Sequence, residues 1–441
     1  MHRVAAVFAT LAVLLTARGE AQSAEPQPAA LTLAGAVRQA MDRAPGVAAA
    51  SYRVDETRAR QGEARSRLLP SLSAEGTWLN RTENLAAFGL SIPGFPNFVP
   101  PFDNYDARLR LTQTVFAWSD WQHLRAEGYQ TAASEADRST AVQAAASAAA
   151  LAYLRAVRAV SLLEARQADS SIAAQLLSLA EAQVQAGVSA PLDATRARTQ
   201  LVAAQGALIV ARNQRRKADL DLAVALGADP ATTWRLADTL TSGLGESLAA
   251  ADTTQALPLA LERRADLAAE LASGSRARAE QRSAAFEFLP RVDFAADYGP
   301  NGRTLPTALA TQDIALVVSI PLLDGFRRQA RSAEQRAAAA ESDARAGDLR
   351  RRIAAQVRSA LLDLASGEEQ HGVAEQRLAL AVEELDEARE RFASGVAGNI
   401  DVINAQASLN TARDAEIDSR YGTAAARVTL AWATGVAETI H

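Results

Sequence analysis

Four short stretches of the chain alternate apolar and polar residues with a period of two. In residues 71–78, Leu72, Ala74, Gly76 and Trp78 share one face, and Ser71, Ser73, Glu75 and Thr77 the other. In residues 105–112, Tyr105, Ala107, Leu109 and Leu111 oppose Asp106, Arg108, Arg110 and Thr112. Residues 291–298 set Val292, Phe294, Ala296 and Tyr298 against Arg291, Asp293, Ala295 and Asp297. Residues 313–320 set Ile314, Leu316, Val318 and Ile320 against Asp313, Ala315, Val317 and Ser319. Period two marks a strand with one apolar and one polar face. Two β-hairpins are predicted, over residues 70–113 and 290–320. A sheet lying on a soluble core shows the same alternation, so the pattern alone does not say what covers the apolar face.

Elsewhere the period changes. Residues 102–190 contain no proline, and none follows Pro321. These runs are rich in Ala, Glu, Arg, Gln and Leu, strong helix formers. A helix over residues 121–186 would be roughly 100 Å long at the ~1.5 Å rise per residue, and residues 326–394 predict a second of that kind. Ile353, Val357, Ala360 and Leu364, then Leu378, Val382, Leu385 and Phe392, form a narrow apolar stripe. Such stripes suit coiled-coil packing against neighbouring helices.

The chain also repeats itself. "RLLPSLSAEG" (67–76) matches "EFLPRVDFAA" (287–296), and "QTVFAWSD" (113–120) matches "IPLLDGF" (320–326). "GVSAPLDATRARTQL" (187–201) returns as "GVAGNIDVINAQASL" (395–409), and Leu226-Gly227 as Thr434-Gly435. A duplication with one longer loop in the first copy accounts for all the offsets. The expected organisation is a first repeat at 22–227, an inter-repeat linker at 228–256, a second repeat at 257–435 and a tail at 436–441. Each repeat holds a helix, a hairpin, a long helix and a returning helix.

The N-terminus adds a compartment. A basic start and the apolar run "VAAVFATLAVLLT" (4–16) precede Gly19 and Ala21, small residues suited to cleavage. Residues 1–21 are expected to be a secretory signal peptide, and no later segment reaches the ~18–20 apolar residues of a membrane helix. An exported chain, strands near the ~9–11 residues that cross a bilayer, and aromatics at both strand ends favour a membrane barrel. Trp78, Tyr105 and Tyr298 are expected near the loops; Phe116, Trp118, Trp121 and Phe288 near the helices. Two aromatic girdles mark the two interfaces of such a barrel. Four strands cannot close one, and open edges in lipid cost several kcal/mol per unpaired group. The barrel must therefore be shared between chains.

Composition removes other classes. A net charge of −5 without a basic block disfavours nucleic acid. The absence of cysteine excludes disulfides, thiolate chemistry and a lipid-modified N-terminal Cys. His2, His123, His371 and His441 are scattered along the chain, and no metal site or cofactor is expected. No phosphate loop, nucleophile elbow or pocket-like carboxylate pair suggests an enzyme.

Together the repeated "LLP"/"FLP" strand starts, the strand-to-helix junctions and the paired "GVSAPLD"/"GVAGNID" tips resemble the TolC-like outer membrane efflux family. The resemblance covers about residues 31–435 and rests on the order of the elements. It implies a homotrimer whose 12-stranded barrel sits in outer membrane lipid and continues as a long α-helical periplasmic tunnel. It implies a passive exit duct for a tripartite pump or type I secretion, joined by a periplasmic adaptor and an inner-membrane pump. In such a fold the helix breaks at Gly187-Val188 and Gly395-Val396 are tip turns and adaptor contacts. Gly187 and Gly395 are expected to end their helices in a left-handed conformation, with Ser189 and Asn399 as caps of the returning helices. Asp193 and Asp401 fall in the first turn of those helices, where the helix dipole favours a carboxylate. The family's aperture acids match Asp401 and Asn404, the second being an amide here, and Asp193 is a supporting candidate. The runner-up reading is an exported coiled-coil scaffold or adhesin without channel activity. The apolar loop at 84–103 is expected to pack against its copies.

Overall fold

The computed structural model describes residues 30–89, 94, 98–240, 253–396 and 398–440. The expected signal peptide lies outside the described residues, as do residues 90–93 and 95–97 of the 84–103 loop and residues 241–252 of the linker.

The element order is a helical duplication around two hairpins. The first half runs β1 (Ala30–Leu31), α1 (Leu33–Arg43), α2 (Pro45–Ser66), β2 (Ser71–Asn84), β3 (Phe98–Phe116), α3 (Trp118–Gln185) and α4 (Pro191–Ala225). After β4 (Arg235–Leu236) come α5 (Thr253–Arg263), α6 (Ala265–Phe286), β5 (Arg291–Gly302), β6 (Leu309–Ser319), α7 (Arg327–Ala393) and α8 (Asn399–Ala433). The paired helices agree in length: α2 and α6 have 22 residues each, α4 and α8 have 35 each, and α3 and α7 have 68 and 67. At about 1.5 Å per residue α3 and α7 are each roughly 100 Å long. α3 packs against α2, α4, α6 and α8, and α7 against α5, α6 and α8.

Three apolar clusters hold the bundle. The central one joins α1, the middle of α3 and the ends of α4 and α8 around Tyr153, Leu154, Leu222 and Val428. Tyr153 is fully buried, and its hydroxyl reaches the Leu31 carbonyl and Asp238 at 2.8 Å each, docking the start of the linker. The second cluster gathers Ile353, Val357, Ala360 and Leu364 of α7 with α5, α6 and α8. The third lies at the far end of the helices. There the stripe differs from expectation: Val382 is 41% exposed, whereas Ala374, Ala381, Leu385 and Phe392 are buried. Spacings of three and four carry the seam through Ala381, whose small side chain lets the facing helix approach. One window of α3 is also apolar and long enough to cross a membrane by length and composition, which the sequence reading did not anticipate. Half of that window is buried inside the molecule, as in a core helix.

Each returning helix ends in the same device. Gly227 and Gly435 adopt φ of 62° and 76°. The Ala228 and Val436 amides bond back to the Ala223 and Ala431 carbonyls at 2.9 and 2.8 Å, completing a Schellman motif. A Cβ on Gly227 would lie 2.6 Å from the Arg43 carbonyl oxygen, and one on Gly435 would lie 2.9 Å from the Arg263 carbonyl carbon. The duplicated Gly thus serves both conformation and close approach to the end of a short helix.

Candidate functional site

The four strands form one antiparallel sheet in the order β2-β3-β5-β6. Register puts like with like. Leu72 faces Leu111, which faces Ala296, which faces Ile314; Ala74 faces Leu109, which faces Tyr298. None of the bundle helices covers this apolar side: Leu72, Leu109, Ile314, Leu316 and Val318 are each at least half exposed. The opposite side is ionic. Arg108 binds Asp106 at 2.8 Å and Asp297 at 2.5 Å; Arg291 binds Asp293 at 2.8 Å and Asp120, on the first turn of α3, at 3.2 Å. Thr114 donates to Asp293 at 3.0 Å.

The first hairpin is longer than its alternation predicted. β2 and β3 have 14 and 19 residues, so Trp78 and Tyr105, directly opposed, stand mid-hairpin instead of beside the loop. Tyr298 lies level with Leu109, four residues along β3 from Tyr105. The expected loop-side girdle is therefore not a single row. The extension was hidden by Pro100-Pro101, which oppose Thr82 at a register shift, where a bulge needs no proline N–H. At the other end Phe116, Trp118, Trp121 and Phe288 are all substantially exposed, and Trp118 meets Phe286 edge-on at 6.0 Å.

Strand-to-helix junctions are pinned by charge. Arg328, 1% exposed, lies 4.1 Å over the Phe288 ring and donates to Asp324 at 2.6 Å and to the Glu287 and Pro321 carbonyls at 3.2 Å. Phe326 precedes α7 with φ of 65°, a strained conformation for a residue with a Cβ. Just below the sheet, His123 Nδ1 is 2.7 Å from a Glu280 oxygen, joining α3 to α6. That hydrogen bond raises His123 above the usual imidazole range. Burial alone would push Glu280 up, but the His123 bond and the fields of His123, Arg331 and Arg276 together hold it below the usual carboxylate range. Glu127 is the third member of this cluster. Sequence reading missed it because Glu280 lies 157 positions from His123; the His123-to-Glu127 spacing of one helical turn was its sole local sign.

At the far end, the two tip turns are alike. Gly187 and Gly395 share a φ of 73°, and the Val188 and Val396 amides close Schellman bonds to the Gln183 and Arg391 carbonyls at 2.9 and 3.0 Å. Val188 and Val396 are 68% and 74% exposed. The expected caps are corrected. Ala190 and Gly398 occupy the cap positions, and neither makes a side-chain cap. Ser189 instead binds Asp193 at 2.7 Å. Asn399 is fully buried and donates to the Asp193 carbonyl at 2.9 Å, tying one tip to the other. Gln183 adds a bond to the Phe392 carbonyl at 3.2 Å. Beneath these ties Leu176, Leu385, Phe392, Val402 and Leu409 form the tip core.

Asp193 and Asp401 both stand in the first turn of their helices, but their surroundings differ. Asp193 is half-buried between Ser189 and Arg196. Asp401 and Asn404 are exposed, three residues apart on one face of α8. Among the described residues no side-chain hydrogen bond or ion pair engages Asp401. Farther up, buried Asp169 of α3 receives Arg166 at 2.8 Å and Arg413 of α8 at 2.9 Å. Asn410, with its amide nitrogen toward the carboxylate, donates a third bond at 2.8 Å. Burial nevertheless keeps Asp169 above the usual carboxylate range.

This architecture is found in solved structures. A membrane protein from Pseudomonas aeruginosa superposes with a TM-score of 0.81 at 20% identity, covering 91% of this chain and 92% of its own. The outer membrane protein VceC of Vibrio cholerae gives 0.78 at 18%, covering 91% and 96%. The Campylobacter jejuni CmeC outer membrane channel gives 0.78 at 16%, covering 92% and 86%. No curated protein sequence matches the chain. The outer membrane efflux protein family profile matches residues 36–228 and 256–436, spanning both hairpins, both long helices and both tips. With that match over most of its length, the chain belongs to the outer membrane efflux protein family.

Proposed function

We propose that three copies of this chain close a 12-stranded barrel in the outer membrane, four strands from each. The barrel continues into the periplasm as a helical tunnel, and the assembly is a passive exit duct. One observation carries the reading. The sheet is apolar and exposed on one side, ionic on the other, and ends in two unpaired edge strands, β2 and β6. In water such an apolar face would need a cover, and in lipid the edges would cost several kcal/mol per unpaired group. Closure with copies of itself pairs the edges, and lipid covers the apolar face. Apolar side chains then meet lipid, and the Arg108, Asp297 and Asp293 side chains line a wet lumen.

The far end of the tunnel is the gate. Asp401, repeated three times around the axis, forms a carboxylate ring that favours cations and repels anions while closed. Asn404, one turn on, adds polarity without charge, and Asp193 supports the turn from its Ser189 and Arg196 contacts. Gly187-Val188 and Gly395-Val396 offer apolar, exposed turns to a periplasmic adaptor, which links the duct to an inner-membrane pump. No catalytic step is involved. The purified chain in a planar lipid bilayer should give discrete conductance steps of uniform size. Bilayers that stay silent at any protein concentration would favour the scaffold reading instead.

A further inference from the structure

The geometry points to a binding site for a zinc-class divalent metal ion made by His123, Glu127 and Glu280, bridging α3 and α6 directly beneath the sheet. Each residue offers one ligand atom, and the three atoms lie within 4.8 Å of one another. Zinc holds imidazole nitrogen and carboxylate oxygen at about 2.0–2.2 Å, so its tetrahedral ligands sit roughly 3.4 Å apart. The 2.7 Å contact between His123 and Glu280 must widen slightly, and a separation at the 4.8 Å limit must shorten by about 1.4 Å. Side-chain rotation covers both changes. Three protein ligands would leave a fourth position for water.

Glu127 is the observation that asks for a ligand. It is 9% exposed, yet among the described residues its carboxylate accepts no hydrogen bond and joins no ion pair. Its field reaches His123, but no hydrogen-bonding or ion-pair partner meets it among those residues. The proton of His123 does not supply that partner, because Nδ1 is directed at Glu280. Neighbouring cations do not supply it either. Arg331 of α7 spends its shorter contact on Glu287 at 2.7 Å and reaches Glu280 at 3.3 Å. Arg67 at the end of α2 and Arg276 of α6 act on His123 and Glu280 only through their fields. Two carboxylates and a neutral imidazole carry the charge that neutralises a divalent ion. The chelate would lock the last turns of α6 to the first turns of α3, where each helix hands over to a strand.

Ligation requires the imidazole lone pair, so metal uptake competes with protonation of His123 and weakens in acid. A second His–Glu pair, His371 and Glu375 on α7, is 3.3 Å apart and serves as an internal control. The full chain is purified in detergent without a polyhistidine tag, stripped with chelator, and titrated with Zn²⁺ by calorimetry at pH 7.5. Co²⁺ absorption then reports the ligand geometry. We expect one Zn²⁺ per chain and a higher melting temperature in its presence. Glu127→Gln keeps the His123–Glu280 bond and the fold, but should weaken binding by on the order of 10–100-fold or more. His371→Ala should leave it unchanged. The proposal is overturned if the parent binds no Zn²⁺, or if Glu127→Gln binds as the parent does. Loss of binding in His371→Ala would also overturn it, by assigning the metal to the surface pair.

Discussion

At the residue scale, similar side chains do different work because their surroundings differ. Asp401 is exposed, and among the described residues no hydrogen bond or ion pair engages its side chain, so Asp401→Ala should leave the melting temperature nearly unchanged. In planar-bilayer recordings the same change should weaken block by multivalent cations. Asp193→Ala should show the reverse balance, a small loss of stability from the Ser189 and Arg196 contacts and little change in block. Unchanged block in Asp401→Ala would leave Asp401 as a helix-start carboxylate and nothing more. The His123–Glu280 pair makes a pH prediction for metal-free protein. His123 is raised on folding, so its contribution is complete below its ordinary value and fades as pH rises through the raised one. Glu280 is lowered, so its contribution is complete above its ordinary value and fades as pH falls through the lowered one. The stability difference between the parent and His123→Gln, followed by melting in chelator, should therefore peak between about pH 4.5 and 6.5 and shrink by pH 9. A difference that grows with rising pH would contradict the pairing.

At the scale of elements, one position along a strand changes the solvent a side chain meets. Ile314 lies mid-strand on the apolar side and is 67% exposed. Its neighbour Asp313 is on the ionic side, opposite Asp297, a like-charged cross-strand pair. Ile314→Arg should cost about 2–4 kcal/mol in a membrane. Asp313→Arg replaces repulsion with attraction and should be neutral or mildly stabilising. Heat resistance of the folded, membrane-extracted protein compares the two; similar losses would mean that the faces are not lipid and lumen. Glycines give a second contrast. Gly395→Ala meets open space and should cost only the left-handed strain, about 1–2 kcal/mol. Gly435→Ala meets the Arg263 backbone as well and should cost clearly more by thermal melting. The strands were legible in the sequence because period two has few other causes, and the helix breaks because Gly precedes a restart. The extra residues of β2 and β3 were not, since Pro100-Pro101 read as loop until a bulge and a missing third strand accommodate them. Nor were the ties of Asn399 and Gln183 to the opposite tip: short polar side chains beside a break suggest caps, and the actual partner lies 206 residues away for Asn399.

At the scale of the whole molecule, two kinds of incompleteness coincide. The bundle has its own cores at the middle and the tip, so the helices of one chain hold together. The sheet has no core at all, because its apolar face is bare and both edges are open. On the proposed reading, a single chain packs its helices by itself but needs copies that pair β6 of one with β2 of the next before it can sit in a bilayer. The duplication explains how one chain supplies four strands, and the proposed trimer explains how a duct results from them. The most direct test is the number of chains in the membrane-inserted particle. Native mass measurement of protein extracted from the outer membrane in mild detergent should give three copies and no stable smaller species. A heat-resistant, membrane-inserted monomer would contradict the account.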